Sequence, residues 1–600
     1  MNDLEVLNGR NNYRRNSARL TLLGMVLVVL IRFGLGLSYS RAVPAWEAYD
    51  EPSHFAYVVQ LATQGTLPLA TDPIPNSERI QPPGYYLLLA VFLKLSHSDV
   101  STFHYPDLNP YFYYGVSGRN YAQHSQNPSV TEQQIEVALD ATRIVSLLLT
   151  LIGVSFSFRA AWLIWPNQIR LAFAAAMIWA LWPQGLFTGG VITNDAPAMT
   201  YGALLTWLLL YFNNVLRRNG WQRSLGIGVL CLMAIVFGAS IKINLLTFLV
   251  PMAVIVMLSA SPKLIIGLGM VGALTTAAAI TLLQMLPSVL VPLTINGQST
   301  FNVVLDHLIH PVSRTFMQHT LEYAVRSSFG LFGWGNVMIP DALQSAWELF
   351  ACAALAGLLL AVVRRHGSIR IRQELALIAI LGGLIGAALA LCLYYQSIFL
   401  IPGRYLLPAL TSFGILLVAG WAALPTSFIR QVLIGGSIIG LLLTSILVPP
   451  RLIGPTYSHP PFVSAAEIQN PTHIELSPGV ILMGYDLESP PGKINYPGDM
   501  LTITLYWSAF HPLLTDYTVH IDVIGPDGKT YGMLDTFPGN GQYPMTYWAV
   551  NQPFRDEYHV QVQSNFPSPA LAQLQVSIIP LSVGQEPLKL GSILISEQSH

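Results

Sequence analysis

The stretch "AYDEPSHFAYV", residues 48–58, sets Asp50 and Glu51 side by side directly after a long apolar run. In a chain with only 10% charged residues, such a pair asks for a chemical reason. A carboxylate at the edge of an apolar surface can be tuned as a general base. Asp50 and Glu51 are therefore the candidate catalytic residues. The competing role for Asp50 is structural: it could cap a helix that has Pro52 in its first turn and ends at Gly65. That helix reads as amphipathic and surface-lying, with Phe55, Val58, Val59 and Ala62 on one stripe. His54, Gln81 and Arg119 fall in the same polar segment as further candidates.

Asn194 and Asp195, in "ITNDAPA", form a second acidic site, where Asp195 could equally cap the helix that follows. Two cations interrupt apolar stretches: Lys242 in "SIKINLL" and Arg404 in "LIPGRYLLPAL", with Tyr405 beside it. Each comes from a tight connection between apolar runs. Snorkelling to lipid headgroups would account for either one alone, whereas two on the same face as an acidic pair point to phosphate binding. The glycine-rich segment "RSSFGLFGWGNVMIPDA", 326–342, offers Phe332 and Trp334 as rings for a sugar or isoprenoid chain; an interfacial aromatic belt is the alternative. No Walker loop, zinc spacing, nucleophile elbow or nucleotide-binding glycine pattern is present.

The elements that must position these residues are mostly membrane helices. The chain is 52% hydrophobic, and soluble domains carry about 25% charged residues, so the composition specifies a polytopic α-helical membrane protein. A net charge of −1 gives no reason to expect nucleic acid. The three cysteines, Cys231, Cys352 and Cys392, lie in apolar segments and supply no disulfide framework. Eleven stretches approach the roughly twenty apolar residues a span needs: 20–39, 142–164, 171–192, 197–213, 225–241, 244–260, 264–284, 346–363, 374–395, 405–424 and 431–449. The twelve-residue run 84–95 is too short and reads as a helix on the membrane surface.

With 84–95 left out, the basic loops between the later apolar runs fall on the same side as Arg10, Arg14, Arg15 and Arg19. Arg170, Arg217, Arg218, Arg223, Lys263, Arg364, Arg365 and Arg430 share the cytoplasmic face with the N-terminus (1–19). The segments 40–141 and 285–345 and the tail from 450 then face outward, and Asp50, Lys242 and Arg404 with them. Beyond a proline-rich linker, 451–464, residues 465–600 alternate apolar and polar, with a Pro-Asp-Gly-Lys turn at 526–529. They specify an exoplasmic all-β sandwich appended to the membrane domain, 20–450.

"YDEPSHF" followed by "QPPGYYLLLAVFLKL" resembles the membrane glycosyltransferases of the GT-C superfamily, which include protein mannosyltransferases and aminoarabinose transferases. "ITNDAPA", "SIKINLL", "FGLFGWGN" and "PGRYLLPAL" are similar to a bacterial GT-C-like subgroup that also carries a trailing β-domain. The resemblance implies a plasma-membrane enzyme moving a sugar from a polyprenyl-phosphate donor to an exoplasmic lipid, glycan or protein acceptor, with inversion. It makes Asp50, with Glu51 beside it, the base or metal-holding carboxylate, and a divalent cation (Mg2+ or Mn2+) the cofactor to consider. It gives the donor phosphate to Lys242 and Arg404. One departure is Gln81, where many relatives carry His or Lys before the Pro-Pro. The rival readings are a lipid-linked saccharide flippase, which calls for interrupted helices, and a non-catalytic glycan-binding scaffold.

Overall fold

In the computed structural model the first apolar run continues a helix that begins near the N-terminus, α1 (Asn2–Ala42). The model describes residues 2–69, 72, 76–79, 81–114, 120–124, 128–218, 221–259, 294–295, 298–299, 313–364, 377–378, 380–386, 402–468, 470–487, 494–580 and 586–597. Arg119, Cys392 and the expected spans 264–284 and most of 374–395 lie outside the described residues. Along α1, Leu20, Leu23, Leu27 and Leu30 are each more than half exposed. An apolar surface of that kind is stable when lipid tails, not water, surround it.

Among the described residues five helices are long and apolar enough to cross a membrane: Arg19–Ala42, Val130–Ile164, Asp341–Arg364, Gly403–Ala423 and Ser427–Thr456. A sixth forms if the bent pair Ile169–Leu181 and Pro183–Gly189 is one span. The expected eleven are therefore not reached among the described residues. The stretches at 225–241 and 244–260 form apolar helices, Gln222–Gly238 and Ile243–Met257, that fall short of spanning length. The run 84–95 is a twelve-residue helix, as its length required.

The chain divides into two compact units. The first comprises Met1–Tyr105, Val130–Gly333 and Val337–Ile453. After α1 come α2 (Glu51–Thr63), the single turn α3 (Asn76–Arg79), α4 (Gly84–Leu95), α5 (Val130–Ile164), α6 (Ile169–Leu181), α7 (Pro183–Gly189) and α8 (Asp195–Arg218). Helix α2 is not the surface helix its stripe suggested: Glu51, Pro52, Ser53, His54, Phe55, Tyr57, Val58 and Leu61 are all buried.

Pro183 explains the 57° bend between α6 and α7. A proline has no N–H for the carbonyl four residues earlier, here Trp179. Arg32 of α1, fully buried, supplies the missing donors: its Nη1 reaches Ala180 O at 3.0 Å and Trp179 O at 3.4 Å, and its Nη2 reaches Gly185 O at 2.9 Å. The guanidinium also lies 4.6 Å over the Trp179 ring. A buried arginine thus closes a broken backbone where no water can.

The second unit holds Gly454–His600 together with Pro106–Ser129 and Trp334–Asn336. It starts earlier than 465 and draws in a piece of the segment 40–141. Two four-stranded antiparallel sheets share one core. Their orders are Phe554–Gln561, Met500–Ala509, Val480–Asp486, Pro471–Ser477, and Leu588–Ile595, Ala570–Ile579, Thr518–Ile524, Thr530–Thr536. Alternation along each strand sends Leu501, Ile503, Leu505 and Trp507 of one sheet, and Val519, Ile521 and Val523 of the other, into that core. The turn at 526–529 closes the hairpin with Gly525 N donating to Lys529 O at 2.8 Å.

Candidate functional site

Asp50 sits at the N-terminus of α2 with φ 61° and ψ 0°, left-handed backbone that costs a non-glycine residue on the order of 1 kcal/mol. Its side chain makes no capping hydrogen bond to the helix. Instead Arg404 Nη2 donates to Asp50 Oδ2 at 2.7 Å. The capping role is thus not the one realised: the strained backbone directs the carboxylate to a residue 354 positions away.

Arg404 links two carboxylates. Its Nε lies 3.7 Å from Asp195 Oδ2, and its guanidinium carbon lies 3.6 Å above the centre of the Tyr49 ring. Asp195 in turn accepts from Lys242 Nζ at 2.5 Å, and Lys242 also donates to Asn194 Oδ1 at 3.1 Å and sits 4.8 Å over the Tyr405 ring. Asn194 Nδ2 donates to Gln81 Oε1 at 2.8 Å. Residues from four distant places in the chain therefore form one chain of contacts, Asp50–Arg404–Asp195–Lys242. The side chains of Asp195, Lys242 and Arg404 are 2%, 10% and 12% exposed, whereas Asp50 keeps 30%. Asp50 is the carboxylate of this group that a substrate can reach. Two nitrogens of Arg404, Nε and Nη1, are buried with no hydrogen bond among the described residues.

Burial alone would raise the Asp50 carboxyl. The Arg404 charge and hydrogen bond, with His54 and Lys242 nearby, outweigh it and hold the carboxyl below the ordinary range. The group is an anion at neutral pH.

Two glycines bring these pieces together. Gly84, after the Pro-Pro of "QPPG", donates its N–H to Ser240 O at 2.7 Å, and a Cβ there would stand 2.6 Å from that oxygen. This close approach sets the Lys242 segment against α4. Gly403 lets Arg404 enter the site by donating to Ser327 Oγ at 2.7 Å, where a side chain would collide with the backbone of Ala324 and Ser328.

Glu51 takes no part in this cluster. Fully buried, it receives Arg143 Nε at 2.8 Å and Nη2 at 2.5 Å, and the Ile192 N–H at 3.0 Å. Arg143 also binds the carbonyls of Val43 and Pro44 at the end of α1, at 2.8 and 3.0 Å. Paired with a buried arginine and shut off from solvent, Glu51 is held apart from Asp50, so the structure does not bring the two expected carboxylates to one site. Trp334 belongs to the second unit, where Tyr121 stacks on it at 3.9 Å and Phe112 meets it edge-on.

His54, one turn after Asp50, has its Nδ1 2.8 Å from Tyr86 OH and 3.0 Å from Glu78 Oε2. Asp50, His54 and Glu78 each place one ligand atom within 4.8 Å of the others, a set that could hold a cation. Glu78 was not singled out by the sequence, since it stands in a polar loop with no spacing to mark it. Arg143 had a signal: an arginine amid the apolar residues of a span needs a buried acid.

Residues 125–412 match a family model described as "Predicted membrane protein (DUF2142)". The matched stretch contains Arg143, Asn194, Asp195, Lys242, Arg404 and Tyr405, and begins after Asp50, His54 and Glu78. No curated protein matches the chain. With five or six helices of spanning length among the described residues, the chain is similar to that family of membrane proteins and carries a β-sheet region after it.

Proposed function

We propose that the chain is a glycosyltransferase of GT-C type, using a polyprenyl-phosphate sugar as donor and Asp50 as base. The observation that carries this reading is Arg404: a buried guanidinium bound to the partly exposed carboxylate of Asp50, with Nε and Nη1 making no hydrogen bond among the described residues. A donor phosphate occupying those nitrogens would draw Arg404 away from Asp50. The Asp50 carboxyl, now held low, would then become a stronger base when the acceptor arrives. The acceptor oxygen forms a bond to the anomeric carbon, and its proton passes to Asp50. The carbon–oxygen bond to the phosphate breaks, the leaving phosphate is stabilised by Arg404 and Lys242, and the centre inverts. In this reading the apolar helices of the membrane domain surround the lipid tail. The site and β-region face out of the plasma membrane, and the acceptor is an exoplasmic lipid, glycan or protein.

The bent pair α6–α7 favours the flippase reading, because transporters use interrupted helices. One experiment separates the two. Purified protein is given labelled polyprenyl-phosphate sugars and an extract of envelope acceptors, and Asp50→Asn is compared with wild type. Transfer falling by about 10²-fold or more in the variant is the expected result. Transfer unchanged by Asp50→Asn removes the base, and donor movement across vesicles without any transfer favours the flippase.

A further inference from the structure

Four apolar side chains of the second unit stand in the open at one end of the sandwich. Phe510 and Leu514, on the loop between Met500–Ala509 and Thr518–Ile524, are 64% and 93% exposed. Phe462 and Val550 are 47% and 37% exposed. Backbone pairing puts them at the same end. Ala509 bridges Val550, Phe462 bridges Phe554, and Phe554 pairs with Trp507 near the end of the strand that leads into Phe510. Between the two exposed residues of the loop, Leu513 turns inward and joins the core, so one leucine anchors the loop and the next is presented. The acids of this end are engaged by backbone: Gly479 N donates to Glu475 Oε1 and Thr546 N to Asp516 Oδ1, both at 2.8 Å.

An apolar rim of this kind marks a surface that meets something other than water. The tether says what it meets. Helix Ser427–Thr456 is long and apolar enough to cross a membrane, and Phe462 follows six residues after its end. At no more than about 3.6 Å per residue, Phe462 stands within about 20 Å of that helix end. The linker is also strapped to the sandwich: Val463 N donates to Pro553 O and Arg555 N to Pro461 O, both at 2.9 Å. The end tied to the span is therefore the end that carries the apolar rim. The turn at 526–529 closes the opposite end of Thr518–Ile524, about 20 Å further along the strand.

We propose that Phe462, Phe510, Leu514 and Val550 form a lipid-docking surface, which seats the sandwich on the leaflet from which the last span emerges. Their side chains enter the boundary between headgroups and acyl chains, where aromatic and leucine side chains are favoured. Neither the loop 510–517 nor the linker 457–464 contains a lysine or arginine, so the docking is apolar and does not call for anionic lipid. This assignment stands whether or not the chain transfers sugars. The competing patch is Leu571 and Leu594, an exposed cross-strand pair at the far end of the other sheet.

The test uses the full chain, with Cys231, Cys352 and Cys392 replaced by alanine, one copy per phosphatidylcholine nanodisc. Leu514→Cys, Lys529→Cys and Leu571→Cys each carry a nitrobenzoxadiazole probe, and lipids with a nitroxide high on the acyl chain serve as quencher. The expected result is blue-shifted emission at 514, quenched several-fold more than at 529 or 571, with the same ratios when phosphatidylglycerol is added. Phe462→Ser with Phe510→Ser in the Leu514→Cys chain is expected to remove most of that quenching, melting curves verifying the fold. The ratio among the three probe positions tests the surface even if the serine variant does not fold. Quenching at 514 no stronger than at 529 overturns the proposal, and stronger quenching at 571 assigns docking to the competing patch. A probe at 514 shielded from aqueous iodide yet untouched by the nitroxide lipids overturns it in favour of a protein partner. Undiminished quenching in a folded serine variant removes the two phenylalanines from the surface and overturns it as assigned.

Discussion

Neighbouring carboxylates have opposite fates here because α2 begins between them. Asp50, just before the helix, is partly exposed and faces Arg404; Glu51, its first residue, is sealed against Arg143. Removing one charge of a buried pair leaves the other uncompensated and costs roughly 3–5 kcal/mol. Glu51→Gln should therefore destabilise the protein by about 3 kcal/mol, and Asp50→Asn by about 1 kcal/mol or less, since the site there stays open to water. Denaturant melts of both variants in detergent measure the difference. Equal losses would mean that Glu51 is no more structural than Asp50. The sequence made Asp50, Lys242 and Arg404 legible because, although capping or snorkelling could account for each alone, the topology put all three on one face. It could not separate Asp50 from Glu51. Their roles depend on partners 354 and 92 positions away, which no local pattern encodes.

Among the elements, the helix break at Pro183 shows what sequence spacing leaves out. The run 171–192 was long enough for one span, yet it is two helices at 57°. Proline alone would leave the Trp179 carbonyl without a donor, and Arg32 supplies one from α1. An arginine in the first apolar run reads as an anomaly until that contact is seen. Replacing it by leucine strips donors from three carbonyls, Trp179, Ala180 and Gly185, each worth about 1 kcal/mol or more when buried and unpaired. Arg32→Leu should thus loosen α7 selectively. Hydrogen exchange at Gln184–Gly189 is expected to speed up by at least tenfold, with the strands of the β-region unchanged. Protection of α7 equal to wild type would show that the bend does not depend on Arg32. Strands were easier to read than helices, because Met500–Ala509 and Thr518–Ile524 announce themselves by alternation and a four-residue turn. Apolar runs mark helices without saying which bend, which shorten and which cross.

For the whole molecule the quantity to test is orientation, for which charge gives the expectation. The basic residues Arg170, Arg218 and Arg430 come from connections that the positive-inside rule keeps in the cytoplasm. The cluster of Asp50, Asp195, Lys242 and Arg404 lies at the opposite ends of the same helices, so it should face outward with the β-region. A chain with Cys231, Cys352 and Cys392 replaced by alanine gives a blank background for single cysteines. Asp99→Cys and Lys529→Cys, at exposed positions, should react with a membrane-impermeant maleimide on intact cells. Asn167→Cys and Arg218→Cys, also exposed in the fold, should react only after the cells are opened. The reverse labelling would place Asp50 in the cytoplasm, where a donor presented at the outer face could not reach Arg404. Labelling of Asn167 and Lys529 from the same side would mean that an odd number of crossings has been miscounted between them.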